Sequence, residues 1–377
     1  MSETVHSGPG GGPSDVAGTP AAPPAADGAG RGALTWTRAI IGVLIAAVVI
    51  WIAIKAADDF SQFVTVTLNG LSLSALYFVV ASGFTLIFGL MRVVNMAHGS
   101  LYLLGGYLAL KFQEKLFQKG DGGLHLSLSA GGGGGGGHYN LVGWIVPLVM
   151  SVLIIGIVGI LLQQLFLRWN QGQDLRQALI TIAISVVAAD QMLAAFGGIS
   201  KDVKAPSAFP ESVSFGSVHV GFFRLVIVIG SALLIGVFLW LLIKRTRYGK
   251  IVRAGVDDRD MVAALGINIQ LVFAGAFFLG AMLAGYGGVL GGTMLSLQPG
   301  EDTSFLLNSL IVVIIGGMGS LGGAAIGALA LGMVDAYADV YLVFGSHDLT
   351  NYSILLTFAL LVVVLAVRPL GLFGRPA

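Results

Sequence analysis

The chain has 377 residues, 56% of them hydrophobic and only 10% charged, with a formal net charge of +1 and a mean hydropathy of +0.89. A soluble domain carries about 25% charged residues, so this composition belongs to an integral membrane protein, and the near-neutral charge singles out no partner and gives no sign of nucleic-acid binding. The lack of cysteine excludes disulfides, thiolate metal sites and cysteine nucleophiles.

Residues 1–36 are rich in Gly, Pro, Ala and Ser without apolar periodicity, which predicts a disordered N-terminal tail. The tail lacks the basic-then-apolar layout of a cleaved signal peptide. Beyond it come repeated apolar runs near 20 residues, the pattern of an all-α, polytopic transmembrane helical bundle. A β-barrel would show alternating segments of about ten residues, and none is present. The first run, Ala39–Ile54, predicts a transmembrane segment within 37–60, ahead of a main membrane domain spanning 61–377.

Val66–Leu90 is the second run, and Leu101–Leu110, extended on either side, the third. Between them Phe88-Gly-Leu-Met-Arg-Val-Val-Asn-Met-Ala-His-Gly-Ser100 places Asn95, His98 and Gly99 at a membrane break. Polar groups there are costly in lipid and need a water-filled path, a protein interface or a membrane edge. Residues 111–140 contain seven consecutive glycines, Gly131–Gly137, and read as a flexible loop. No Gly-Lys-Ser/Thr follows that would make them a phosphate cradle.

Leu141–Leu167, Leu179–Phe196 and Phe222–Ile243 are the next spans. Asp190 lies within the second of these, and its place near the run's end favours contact with interfacial water over a proton or cation site. Asn69, Gln163, Gln164 and Asn308 read as interhelical hydrogen-bond partners or interface residues. The loop 244–270 then carries Arg253-Ala-Gly-Val-Asp-Asp-Arg-Asp-Met-Val-Ala-Ala-Leu-Gly266. Asp257 suits an N-cap, Asp258 and Asp260 suit the positive end of a helix dipole, and Gly266 suits C′. This predicts a short helix presenting Met261, Ala264 and Leu265, which either docks against a partner or lies on the bilayer.

Leu271–Leu295, Phe305–Ile315, Ala324–Val340 and Ile354–Val367 complete the eight to ten spans. Phe305–Ile315 is short for a crossing, and Gly316-Gly-Met-Gly-Ser-Leu-Gly-Gly323 after it predicts a broken or re-entrant element, with Gly316, Gly317, Gly319 and Ser320 at the break. The Gly287/Gly291 and Gly288/Gly292 pairs read as packing stripes. Of the Lys and Arg residues, 13 fall in segments that alternate onto one side, including Arg92, Arg168, Arg176, Arg368 and the 244–259 cluster, against 7 on the other. The positive-inside rule then puts both termini in the cytoplasm. There is no Walker A lysine signature, no H-E-x-x-H and no G-x-S-x-G. No catalytic residue, metal site or cofactor is expected.

Thr85-Leu-Ile-Phe-Gly-Leu-Met-Arg-Val-Val-Asn-Met-Ala-His-Gly99 closely resembles the signature of the branched-chain amino acid ABC importer permeases (LivH-like). So do Tyr102-Leu-Leu-Gly-Gly-Tyr107, Arg247-Tyr-Gly-Lys-Ile-Val-Arg-Ala-Gly255 leading into Ala264-Leu-Gly-Ile-Asn268, Val312–Gly327 and Arg368-Pro-Leu-Gly-Leu-Phe-Gly374. They lie in order over roughly residues 65–374. The resemblance implies a permease in the bacterial inner membrane, without an ATPase of its own. It implies a second permease subunit (a related chain or a copy), two ATP-binding subunits and an extracytoplasmic solute-binding protein. The helix over 257–265 would then dock on an ATPase, the outer loops including Gly198–Val220 would face the binding protein, and Asn95, His98, Gly99 and the Gly316–Gly323 break would lie near the translocation path or its hinges. Ser100 departs from the family, which often has an acidic residue after His-Gly. Permeases for urea or short amides share Asn-x-Ala-His-Gly and are the alternative reading. An ion-coupled transporter with Asp190, Asn95 and His98 as a polar relay is the remaining one.

Overall fold

The computed structural model describes residues 54–55, 57–91, 94–117, 141–216, 218–257, 259–344, 347–348 and 350–374. The chain divides into two units, Met1–Ile54 and Lys55–Ala377. Of the first only Ile54 is described, so the expected tail and nearly all of the Ala39–Ile54 span lie outside the described residues, as does 118–140 of the glycine-rich loop.

The second unit is helical: α1 (Phe60–Met91), α2 (His98–Phe117), α3 (Leu141–Leu162), α4 (Asp174–Phe196), α5 (Ile229–Arg245), α6 (Arg247–Asp257), α7 (Arg259–Ala264), α8 (Ile269–Met294), α9 (Glu301–Gly316), α10 (Leu321–Tyr341) and α11 (Ser353–Val367). A π-helical stretch, Gln163–Leu167, and a 3₁₀ turn extend α3 to Asn170, and another, Phe223–Val228, leads into α5. β1 (Ser212–Phe215) and β2 (Val218–Gly221) form one antiparallel hairpin, and β3 (Val343–Phe344) and β4 (His347–Asp348) another.

Every apolar run from Val66 onward is a helix. Among the described residues six helices are long and apolar enough to cross a membrane: Phe60–Gly89, Leu141–Asn170, Asp174–Phe196, Phe223–Arg245, Ile269–Met294 and Leu321–Tyr341. Three others are apolar but shorter or more charged. α2 carries Lys111, Glu114 and Lys115, and α11 has 15 residues. α9 has 16 residues, about 24 Å at 1.5 Å per residue, against a hydrocarbon core of about 30 Å.

Two expectations need correction. The 111–140 loop is helical at its start, because α2 continues to Phe117, where Gln113 is buried and pairs both ways with the Lys204 backbone (Nε2 to O and N–H to Oε1, each 3.1 Å). The short helix expected over 257–265 is α7, Arg259–Ala264, and a second helix, α6, directly precedes it. Asp257 ends α6 rather than capping α7, because helix begins already at Arg247, and Asp258 lies outside the described residues.

α1 is the hub of the bundle, packed against α10, α8, α9 and α5, while α2 packs on α8, α3 and α9. Its buried hydroxyls would be costly in an apolar interior, and they are satisfied within the helix. Ser72, Ser82 and Thr85 donate to the carbonyls of Leu68, Val79 and Ala81 at 2.9, 2.7 and 2.7 Å. Close approach follows from missing side chains, as the packing stripes predicted: Cβ atoms at Gly288 and Gly291 of α8 would overlap Tyr102 of α2. By contrast α4 and α5 bury only 11% and 17% of their apolar windows, leaving most of both helices for lipid or another subunit. The segment after α4 is strapped to the bundle by Lys201 and Leu297, which exchange backbone hydrogen bonds of 2.9 and 2.6 Å, and by Val203 N–H donating to Gly292 O at 2.9 Å.

Candidate functional site

The first break is built around the amino end of α2. Asn95 turns the chain: its Oδ1 accepts from Ala97 N–H at 3.1 Å and its carbonyl from His98 N–H at 3.2 Å. Thr181 of α4 accepts from Met96 N–H at 3.2 Å, and Ser100 meets Ser185 Oγ at 3.0 Å. Asn95, His98 and Ser100 are all buried.

His98 Nε2 lies 3.0 Å from the Val80 carbonyl oxygen, and its ring meets Phe84 edge-on at 5.4 Å. A carbonyl only accepts, so Nε2 carries the hydrogen and Nδ1 faces the interior with no hydrogen-bond partner. Val80 is eleven residues before the end of α1, roughly 16 Å along the axis. The segment between α1 and α2 therefore turns back into the bundle, and α2 starts inside it. Gly99 sits where a Cβ would overlap the Asp302 carbonyl oxygen, so α2 and the start of α9 touch through backbone.

The second break joins α9 to α10. Gly317 and Gly319 have φ of +94° and +80°, conformations that an L side chain strains to adopt, and Ser320 caps α10 by accepting Gly323 N–H at 3.1 Å. The last four carbonyls of α9 are all paired. Val313 and Ile314 receive Gly317 N–H at 3.0 and 3.3 Å, and Ile315 and Gly316 receive Leu372 and Phe373 N–H at 2.8 and 3.0 Å. The carboxy-terminal Leu370–Gly374 segment thus seals the break, meeting the need of buried helix ends for partners. Cβ atoms at Gly316 and Gly323 would each overlap the other residue's backbone.

The structure does not bring the two breaks into one cluster. Both meet α1, but Gly319 touches Gly89, whereas His98 bonds to Val80 nine residues away, roughly 13 Å along the helix.

The third element stands apart. Gly266 has φ +78°, and Gly266 N–H bonds to Ala263 O (2.9 Å) and Ile267 N–H to Val262 O (3.4 Å), a Schellman ending to α7. Val262 is buried, while Met261 and Leu265 are 60% and 71% exposed, and Ala264 and Gly266 are exposed too. Tyr248 of α6 ties the segment to α8, its hydroxyl donating to Val272 O at 3.0 Å, and burial pushes its pKa up to about 12.

Asp190 is exposed on α4. A different intramembrane carboxylate holds helices together. Asp335 of α10 accepts from Tyr77 of α1 and Thr357 of α11 at 2.8 Å each, and Asn308 of α9 donates to the Tyr77 hydroxyl at 3.0 Å. This makes Asn308 an interhelical hydrogen-bond partner, as read from the sequence. Asp335 was legible by the rule that singled out Asp190, an acid within an apolar run. Thr181 and Ser185 gave no such signal, since hydroxyls are common in spans.

A model of the family described as "Branched-chain amino acid transport system / permease component" matches residues 66–365. The chain is 29% identical over 326 residues to the high-affinity branched-chain amino acid transport system permease protein LivH of Salmonella typhimurium, covering 85% of this chain and 98% of that protein. The LivH protein of Escherichia coli (strain K12) gives the same figures. BraD of Pseudomonas aeruginosa is 29% identical over 316 residues, 82% of this chain and 94% of the other. A solved structure, PsaBC from Streptococcus pneumoniae in complex with Fab, superposes with a TM-score of 0.43 at 12% identity over 85% of this chain and 96% of that one, a distant likeness. With a match that spans the bundle from α1 to α11 and takes in both breaks and the α6–α7 excursion, the chain belongs to the branched-chain amino acid transport system permease family.

Proposed function

We propose that this chain is the membrane-spanning subunit of an ATP-driven importer for branched-chain amino acids, lying in the bacterial inner membrane with both termini in the cytoplasm. A second permease subunit, two ATP-binding subunits and an extracytoplasmic solute-binding protein complete the assembly. The observation that carries this reading is the α6–α7 excursion. It is a locked two-helix projection whose exposed Met261 and Leu265 offer an apolar contact at the end of the bundle, in a chain with no nucleotide-binding motif of its own. A contact of this kind transmits force from a partner, and the fixed Gly266 ending keeps it from fraying.

In this reading Asn95, His98 and Gly99 shape the inner part of the path, and Gly316, Gly317, Gly319 and Ser320 form a hinge at the cytoplasmic end of α9. Reconstitution with the ATP-binding subunits and loaded binding protein tests it: leucine uptake should require ATP. Uptake of urea or acetamide in place of leucine would move the solute class to short amides. Uptake driven by a proton gradient without ATP would overturn the importer reading.

A further inference from the structure

A cavity of about 240 Å³ opens between α2, α4 and the amino end of α9, beside the first break, where Gly99 meets the Asp302 backbone. Its walls are unusual for a membrane domain. Asp302 of α9 lines it, only 4% exposed, with no hydrogen bond or ion pair to its carboxylate among the described residues. Asp190 of α4 lines the open side, and Leu103, Met192 and Leu193 supply the apolar wall. Gly300, the residue before α9, also lines it; the N–H groups of Glu301, Thr303 and Ser304 already donate to the Gln298 and Gly300 carbonyls, which leaves the Asp302 N–H at its edge.

The Asp302 carboxylate opens on the cavity, and a carboxylate set against an apolar wall favours a cation. Lys111 and Lys201 lie over the Phe196 ring at 5.6 and 5.9 Å, and the ion pair formed among the described residues is Lys55–Asp58. The cavity has room for several waters. The cavity therefore pairs two carboxylates with an apolar wall and a helix amino end, the complement of an ammonium group, an aliphatic side chain and a carboxylate.

We infer that this cavity is a transit site for a free aliphatic α-amino acid, with the Asp302 and Asp190 carboxylates receiving the ammonium group, the Asp302 N–H the carboxylate, and Leu103, Met192 and Leu193 the side chain. The inference rests on the transport reading above and adds to it a binding site within the permease. The experiment is maximal uptake of radiolabelled leucine by the full assembly in proteoliposomes, at saturating loaded binding protein. Asp302→Asn, an isosteric change, lowers uptake at least tenfold, while Asp302→Glu, which keeps the charge, recovers part of it. Leu193→Trp, which fills the cavity from its exposed side, also lowers uptake tenfold and guards against misfolding of the Asp302 variants. Wild-type uptake together with unchanged rates in Asp302→Asn and Leu193→Trp overturns the site and leaves the transport reading standing. Failure of the wild-type assembly to take up leucine overturns the transport reading, and the amino-acid site with it.

Discussion

The Tyr77 hydroxyl donates to Asp335 Oδ2 at 2.8 Å, joining the middle of α1 to α10 across 258 residues of sequence. Thr357 on the other carboxyl oxygen and Asn308 on the phenol extend the link to α11 and α9. Removing the Tyr77 hydroxyl breaks two of these bonds at once. Tyr77→Phe should therefore lower stability by about 1–3 kcal/mol, and Asn308→Ala added to it should cost less than it does alone. Thermal unfolding in detergent of the single and double variants reads this coupling, and strict additivity would refute the network.

Gly316 and Gly323 meet backbone to backbone, whereas Gly322 between them in sequence has nothing within 4 Å of where a Cβ would stand. Alanine at Gly316 or Gly323 should cost about 1–3 kcal/mol through overpacking. Gly322→Ala should stay within about 0.5 kcal/mol of wild type. Equal effects at Gly322 and Gly323 in a melting assay would contradict the close approach.

The carboxy-terminal segment holds the last two carbonyls of α9. Truncation after Pro369 leaves both unpaired, at about 1–3 kcal/mol for each that stays buried. Faster hydrogen exchange confined to 313–324 is the expected signature, and unchanged protection there would show that the segment does not seal the break.

Met261 and Leu265 are exposed, while Val262 beside them is buried. A double change to Ser at Met261 and Leu265 should leave the fold intact, since surface substitutions shift stability by about 0.5 kcal/mol or less, yet lower ATP-dependent uptake at least tenfold. Full uptake in that variant would remove the coupling role. Gly266→Ala tests the same element by another route, straining a φ of +78° at about 1–2 kcal/mol.

His98 Nε2 faces a carbonyl and Nδ1 faces none. Nitrogen chemical shifts of labelled His98 should report the Nε2–H tautomer. The Nδ1–H form would mean that the ring is turned and that Val80 does not hold it.

How far the sequence could be read depends on the range of each interaction. From Val66 onward the helices follow from apolar run length, a local property, and the turn glycines Gly266, Gly317 and Gly319 follow from local backbone need. The Asp257 cap was misplaced because a carboxylate before an apolar stretch looks the same whether helix starts there or, as here, has already run from Arg247. Asp302 could not be singled out at all: an acid at a helix start is ordinary, and only its burial beside α2 and α4 removes it from water.

Composition and motif order by themselves determined that this is a helical membrane permease with breaks near residues 92–97 and 316–320, because hydrophobic length and glycine placement are written along the chain. Tertiary structure alone decided that α2 begins inside the bundle, that the breaks lie at different depths on α1, and that Asp335 and Asp302, rather than Asp190 by itself, are the carboxylates with structural consequence. Each of these depends on which helices touch, and contacts such as Val80 with His98 or Gly99 with Asp302 are set by backbone proximity between segments far apart in sequence.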